Sequence, residues 1–268
     1  MKIVNPSFTE AIDITHYLET AELTPWLSEF QTVQRERLTT SVFPTRKKER
    51  FKYNDFSALM NRTLMNGGLI RAPQESAPLI EMPSLADHLD AQCLVVVDGM
   101  ISSDLSTIDP DLITPFSEAD ESQRRFILSQ LQSVRQHENV FTILNHSLLQ
   151  DGVLVDFHKP VSRPLYIFHL FSNSNASIDA ISNMLVRVNT NVEATLIEHF
   201  PAQTGTTGSL HSNQVTQCVL HPHANLNHYR LHLEHEEAIH VGEVNVDLHR
   251  DANYDGFHIG LGGKIKRL

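Results

Sequence analysis

Beyond Gly152 the chain consists almost wholly of short alternating runs. "VLVDF", "PLYIFHLF", "MLVRVN", "EATLIEHF", "QVTQCVLH", "NHYRLHL", "HVGEVNVDLH" and "DGFHIGLGG" follow one another, separated by Asn, Asp, Gly and His. Alternation of apolar and polar residues is the period of a strand with two unlike faces. No amphipathic helix of useful length interrupts it. Many short strands at this rhythm make a sandwich, a barrel or a β-solenoid. An internal repeat chooses among these. Residues 223–231, "HANLNHYRL", and 251–259, "DANYDGFHI", share Ala-Asn ahead of an alternating strand, and 190–198, "TNVEATLIE", is a poorer third copy. Offsets of about thirty residues suit stacked coils, each burying its inner face on its neighbours.

Residues 1–150 read as a mainly helical region with a short strand pair. Thr24-Pro25 is a helix start, and Trp26, Leu27, Phe30, Val33 and Leu38 recur at helical spacing. Residues 117–136 form a second helix. Ser117 caps it, Glu118 and Asp120 sit at the positive end of its dipole, and Ile127, Leu128, Leu131 and Val134 form its buried face. Phe141, Leu144 and Leu148 mark a third helix that stops at Asp151-Gly152, where glycine is expected to supply a left-handed turn. "CLVVVDGMI" is one clear strand, and the proline-rich 71–84 is a surface connection. Residues 151–268 hold the first coils of the β part.

Histidine is the second unusual feature, with seven of the sixteen between 221 and 250. Strand parity puts Tyr229, Leu231 and Leu233 on one face and His228, Arg230 and His232 on the other. Val244, Val246 and Leu248 likewise oppose Glu243, Asn245, Asp247 and His249, and Phe257, Ile259 and Leu261 oppose His258. The aliphatic faces are expected to point inward. His228, His232, His249 and His258 then form a ladder facing solvent or a partner. His240 shares parity with Val244 and is expected to face inward, satisfied by a hydrogen bond. "HEEAIH" spaces His235 and His240 five apart, not the four that a zinc-protease helix needs. "HPH" offers His221 and His223 as two ligands from one strand. That leaves a metal-dependent, cupin-like enzyme using the histidines of 221–249 as the alternative to a scaffold.

Other chemistry is sparse. No dinucleotide, P-loop or nucleophile-elbow pattern occurs. Glu236 and Glu237 read as a solvated acidic turn, and the basic run 46–50 as a solvated helix face. A net charge of −11 argues against nucleic acid and anionic membrane surfaces. Cys93 and Cys218 lie far apart without CxxC spacing, and Cys218 reads as a buried thiol. With no apolar leader and no membrane-length span, a cytoplasmic location is expected.

Several stretches together resemble one family. Residues 45–59, "TRKKERFKYNDFSAL", resemble the R-x-E-x-W-K-Y-T-D-L motif of the SufB/SufD family, with Phe51 for tryptophan and Asn54 for threonine. Residues 94–108, "LVVVDGMISSDLSTI", are similar to its strand-turn motif, and 141–171 to its junction between helical and β parts. Residues 224–267 look like the first coils of its β-helix. A short helical region without a cysteine-rich N-terminal motif places the likeness on the SufD side.

The resemblance implies an α+β fold, a helical region followed by a right-handed parallel β-helix. It also implies a non-catalytic scaffold role in SUF iron–sulfur cluster assembly. The expected partners are a SufB-like subunit, paired through the β-helix, and a SufC-like ATPase, bound through a C-terminal helical domain. The nascent iron–sulfur cluster belongs to the full complex. Family members run on past the place matching "GGKIKRL", so the resemblance further implies a truncated β-helix without the C-terminal helical domain. No residue of this chain inherits a catalytic, cofactor or metal role from it.

Overall fold

A computed structural model describes residues 6–20, 23–65, 88–134, 139–172, 177–202 and 209–267. The proline-rich connection at 71–84 and residues 135–136 of the second expected helix lie outside them.

From Val153 onward the chain winds between two sheets. One sheet carries β6 (Val153–Phe157), β8 (Ile178–Val188), β10 (Leu210–Leu220), β12 (Ile239–Leu248) and β14 (Ile265–Arg267). The other carries β7 (Leu165–Leu170), β9 (Glu193–Pro201), β11 (Asn225–Leu233) and β13 (Asn253–Leu261). Within each sheet these strands are parallel neighbours. The result is the expected parallel β-solenoid. The helical part contributes to its base: β3 (Gln92–Val97) pairs in parallel with β7, and β4 (Met100–Ile101) turns back onto β3. β5 (Ile113–Pro115) runs antiparallel to β6. Asp98 and Gly99, both at positive φ, make the tight turn of the β3–β4 hairpin.

The coils close through a recurring turn. Asn191, His223 and Asp251 each hold φ near +60°, and Val192, Ala224 and Ala252 follow them into the apolar side of the lumen. The amide of Asn191 donates to the Pro222 carbonyl, and that of His223 to the Arg250 carbonyl, so each turn is tied to the next. The registers β9–β11 and β11–β13 set Glu193 opposite Asn225 and Asn225 opposite Asn253. The repeat is therefore real, but its third copy lies one residue from its expected place: His223 matches Asn191, not Thr190.

The helical lobe covers the outer face of the β8–β10–β12 sheet. Its helices are α1 (Phe8–Ala11), α2 (Thr15–Thr20), α3 (Ser28–Thr40), α4 (Glu121–Ser133) and α5 (Val140–Leu148). Two strand fragments, β1 (Ile12–Asp13) and β2 (Arg62–Thr63), pair beside it. α5 is buried on every side. Asn145 donates to the carbonyls of Ser182 and Asn213, and Asn213 donates back to Phe141, which seats the helix on β8 and β10. Phe8, Phe51, Phe56 and Phe141 pack edge-on and tilted around it. Every residue of β10, between lobe and lumen, is buried.

Three local expectations change. Ser117 does not cap the second helix: a short 3-10 turn occupies 116–118, and Asp120 starts α4 with Gln123 in a capping box. Val33 is half exposed, whereas Gln31 and Gln34 are buried. α3 turns that polar face inward because α5 ends against it. The Gln31 amide reaches the Leu149 carbonyl and Arg35 reaches the Ser147 carbonyl, satisfying acceptors that a buried helix end leaves open. Gly152 does not hold a positive φ. It is needed for space, since a Cβ there would lie 2.4 Å from the Phe116 ring.

Candidate functional site in the solenoid lumen

The lumen changes character across its width, from one end of the strands to the other. On the side of the Asn191, His223 and Asp251 turns it is apolar, filled by Leu165, Ile167, Met184, Val186, Val188, Leu196, Cys218 and Leu220. Toward the other side it is polar. Because strands stack in register, residues on neighbouring coils form columns. One column passes from Ile167 through Glu198 and Arg230 to His258; the next stacks Phe200 on His232.

His228, Arg230 and His232 are therefore lumen residues, each with no exposed surface, while Tyr229 on the opposite parity is 41% exposed. The alternation is as expected, but its direction is reversed for this strand: the imidazoles of His228 and His232 do not face solvent. The reason is pairing. Glu198, also fully buried, accepts from His228 Nε2 at 2.8 Å and His169 Nε2 at 3.2 Å, and its Oε1 lies 2.9 Å from Arg230 Nε. Gln214 and Thr216 from the facing sheet also donate to it. Arg230 donates a further bond to Gln214 Oε1 at 2.6 Å. A charge inside a protein survives where opposite charge and hydrogen bonds surround it. Burial pushes the Glu198 carboxyl up, yet Arg230 and the bonds from His169 and His228 hold it well below the usual carboxylate range. His169 is shifted down, chiefly by burial.

A second group adjoins the first. His169, Phe200 and His232 form a stack of rings, with centroids 4.3 and 4.5 Å apart and planes within 6° and 3°. His232 meets His240 edge-on at 4.4 Å. His240 faces inward as expected, its Nδ1 bonded to Ser212 Oγ at 2.7 Å and Glu234 Oε1 at 2.9 Å. His232, Glu234 and His240 each offer a donor atom, and these atoms lie within 4.8 Å of one another. Among the described residues this is the one such group of three. Lys266 Nζ stands 3.3 Å from Glu234 Oε2. Burial raises the Glu234 carboxyl, but His240 and Lys266 together leave it shifted down, while burial lowers His232.

The other sequence candidates lie elsewhere. His221 and His249 bring their rings to 5.0 Å on neighbouring turns, and His223 sits exposed beside Asp251. These turn residues do not converge; of the histidines of 221–249, His232 and His240 do. His258 occupies a lumen column, but in the most exposed coil. His235 is exposed in the turn with Glu236 and Glu237. Cys218 is fully buried in the apolar lumen and its thiol is pushed up by that burial; Cys93 is half-buried. The basic run begins in an exposed turn at 46–48 and passes into the short 3-10 helix Glu49–Phe51, not the expected helix face.

Sequence reasoning missed Glu198, Glu234 and Lys266. A signal for Glu198 was present: with His223 set against Asn191, Arg230 falls opposite Glu198, and a cation and carboxylate on adjacent coils mark a shared buried face.

No helix among the described residues is long and apolar enough to cross a membrane. A search of curated proteins found no match to the chain. Residues 170–268, the segment that supplies Glu198, Arg230, Glu234 and Lys266, match the family model described as "SUF system FeS cluster assembly, SufBD core domain".

Proposed function

We propose that this chain is a non-catalytic scaffold subunit of the SUF iron–sulfur cluster assembly system, SufD-like in type and cytoplasmic. It pairs with a SufB-like subunit through its β-helix and works in one assembly with a SufC-like ATPase, and the nascent cluster is the cargo of that assembly. The observation that carries this reading is the SufBD core match over 170–268, laid on a parallel β-solenoid. Two features of the solenoid support it. β13 and β14 are the outermost strands of their sheets, and Leu248, Phe257 and Leu261 on the outermost coil are at least half exposed. Exposed apolar side chains beside unpaired strand edges suit docking against another β structure.

The test is co-expression of the chain with SufB-like and SufC-like proteins from the same source, with an affinity tag on the SufB-like subunit alone. Stoichiometric recovery of the chain on that tag is expected, and it should fall when Phe257 and Leu261 are both replaced by lysine. Recovery no better than background, with all three proteins soluble, would remove the proposal.

A further inference from the structure

We infer that His232, Glu234 and His240 form a binding site for a divalent first-row transition-metal ion inside the lumen, and that Lys266 holds the cation's place when no metal is bound. This goes beyond the scaffold reading and does not depend on it.

Three observations point to it. First, the donor atoms are present and mostly unspent. Both ring nitrogens of His232 and His240 Nε2 are buried without a hydrogen-bond partner, and Glu234 Oε2 meets the Lys266 ammonium at 3.3 Å. Such atoms are costly to leave unpaired, and here they belong to side chains that face each other. Second, the donor set is chemically coherent. Two imidazoles and one carboxylate suit zinc, cobalt or ferrous iron better than calcium or magnesium, which prefer oxygen alone. Bonds of about 2.0–2.2 Å place tetrahedral ligand atoms roughly 3.3 Å apart. Donor atoms within 4.8 Å of one another need a closing movement of little more than an ångström. Third, the rings are held from behind. Ser212 Oγ bonds His240 Nδ1, and Phe200 stacks flat on His232, so each imidazole is oriented by a neighbour that does not itself compete for metal.

Lys266 explains how Glu234 is tolerated without a metal. Its side chain runs close to Gly260 and Gly263, where an added Cβ would lie 3.0 and 3.1 Å from the lysine methylenes. Its ammonium reaches Glu234 Oε2 and donates to the carbonyls of His232 and Leu261 at 2.9 and 3.0 Å. A metal ion bound to Glu234 repels that ammonium, which is partly open to solvent and can swing out. Arg230, the other nearby cation, is already paired with Glu198 and need not move.

The test is titration of the chelator-washed chain with Co2+, followed by ligand-field absorption and by metal content after gel filtration, with Zn2+ as competitor. One Co2+ per chain is expected, in a low-symmetry site that Zn2+ displaces. His232→Phe keeps the ring stack and Glu234→Gln keeps the shape; each should weaken binding about tenfold or more. Lys266→Met removes the competing cation and should tighten binding by a similar factor. His221→Ala, on the exposed turn, should change nothing. The inference is overturned if the wild-type chain takes up no stoichiometric Co2+, whatever Lys266→Met does. It is equally overturned if His221→Ala abolishes the signal or if His232→Phe leaves it intact.

Discussion

Glu198 is a carboxylate sealed from water and served by donors from three strands: His169 on β7, Gln214 and Thr216 on β10, and His228 and Arg230 on β11. The charge of Arg230 is matched by this one residue, so removing Glu198 leaves a buried guanidinium without an anion. Glu198→Leu should therefore destabilise the chain by about 3–5 kcal/mol in urea unfolding. Exchanging both partners for apolar residues, Glu198→Leu with Arg230→Met, should recover most of that loss, because the desolvation cost disappears with the charges. A cost below about 1 kcal/mol for the single change would show that Arg230 finds water or another anion, in conflict with a closed lumen. Residue identity gave no warning of this arrangement when each strand was read alone. Tyr229, Leu231 and Leu233 look like a core face and His228, Arg230 and His232 like a surface. What reverses them is a neighbour thirty-two residues back in sequence and directly opposite in the sheet.

At the scale of elements, most of the chain was legible. Period-2 alternation located the strands, helical spacing located α3, α4 and α5, and Ala-Asn repeats gave the stacking. The parts that were not legible depend on register and on buried helix ends. The one-residue error in the third copy, Thr190 for Asn191, exchanges the two faces of that strand relative to its neighbour. The polar inner face of α3 answers to carbonyls that only the packed α5 presents. α5 also carries a prediction. His146 lies on it, wholly buried against Phe30, and burial lowers its imidazole to about 3, with Arg37 adding a smaller repulsion. In the unfolded chain the same group titrates near 6.5. The folded value lies below the unfolded one, so the unfolded chain binds the proton first as acid is added. The stability linked to the neutral ring is fully present above about pH 6.5 and is lost as pH falls from there towards 3. Between pH 7 and pH 5 this amounts to about 2 kcal/mol. His146→Gln should therefore flatten the stability profile over that range relative to wild type. Parallel profiles for the two proteins would mean that His146 is protonated, or reaches solvent, in the folded state.

For the whole molecule, the distribution of burial along the solenoid decides its behaviour in solution. Strands near the base are covered on both faces: β10 is buried throughout, and the lumen beneath it is packed. The first half of β12 is buried and its second half is not, and β13 is exposed over most of its length. Val246 and Leu248 belong to the inward parity of β12, yet they are 37% and 50% exposed; Phe257 and Leu261 on β13 are 53% and 58% exposed. The two sheets thus present edge strands with free backbone donors and acceptors beside exposed apolar side chains, the combination that recruits further strands. A net charge of −11 slows association but acts over only about 8 Å at physiological ionic strength. The 268-residue chain by itself should therefore self-associate. Light scattering after gel filtration should show a mass that rises with concentration, and added salt should push it higher. Phe257→Lys with Leu261→Lys places two like charges on the outermost edge and should return the chain to a monomer, without loss of the β signal in circular dichroism. A single sharp monomer at every concentration, in low and high salt alike, would show that this edge is protected in solution, and docking through β13 would lose its physical basis.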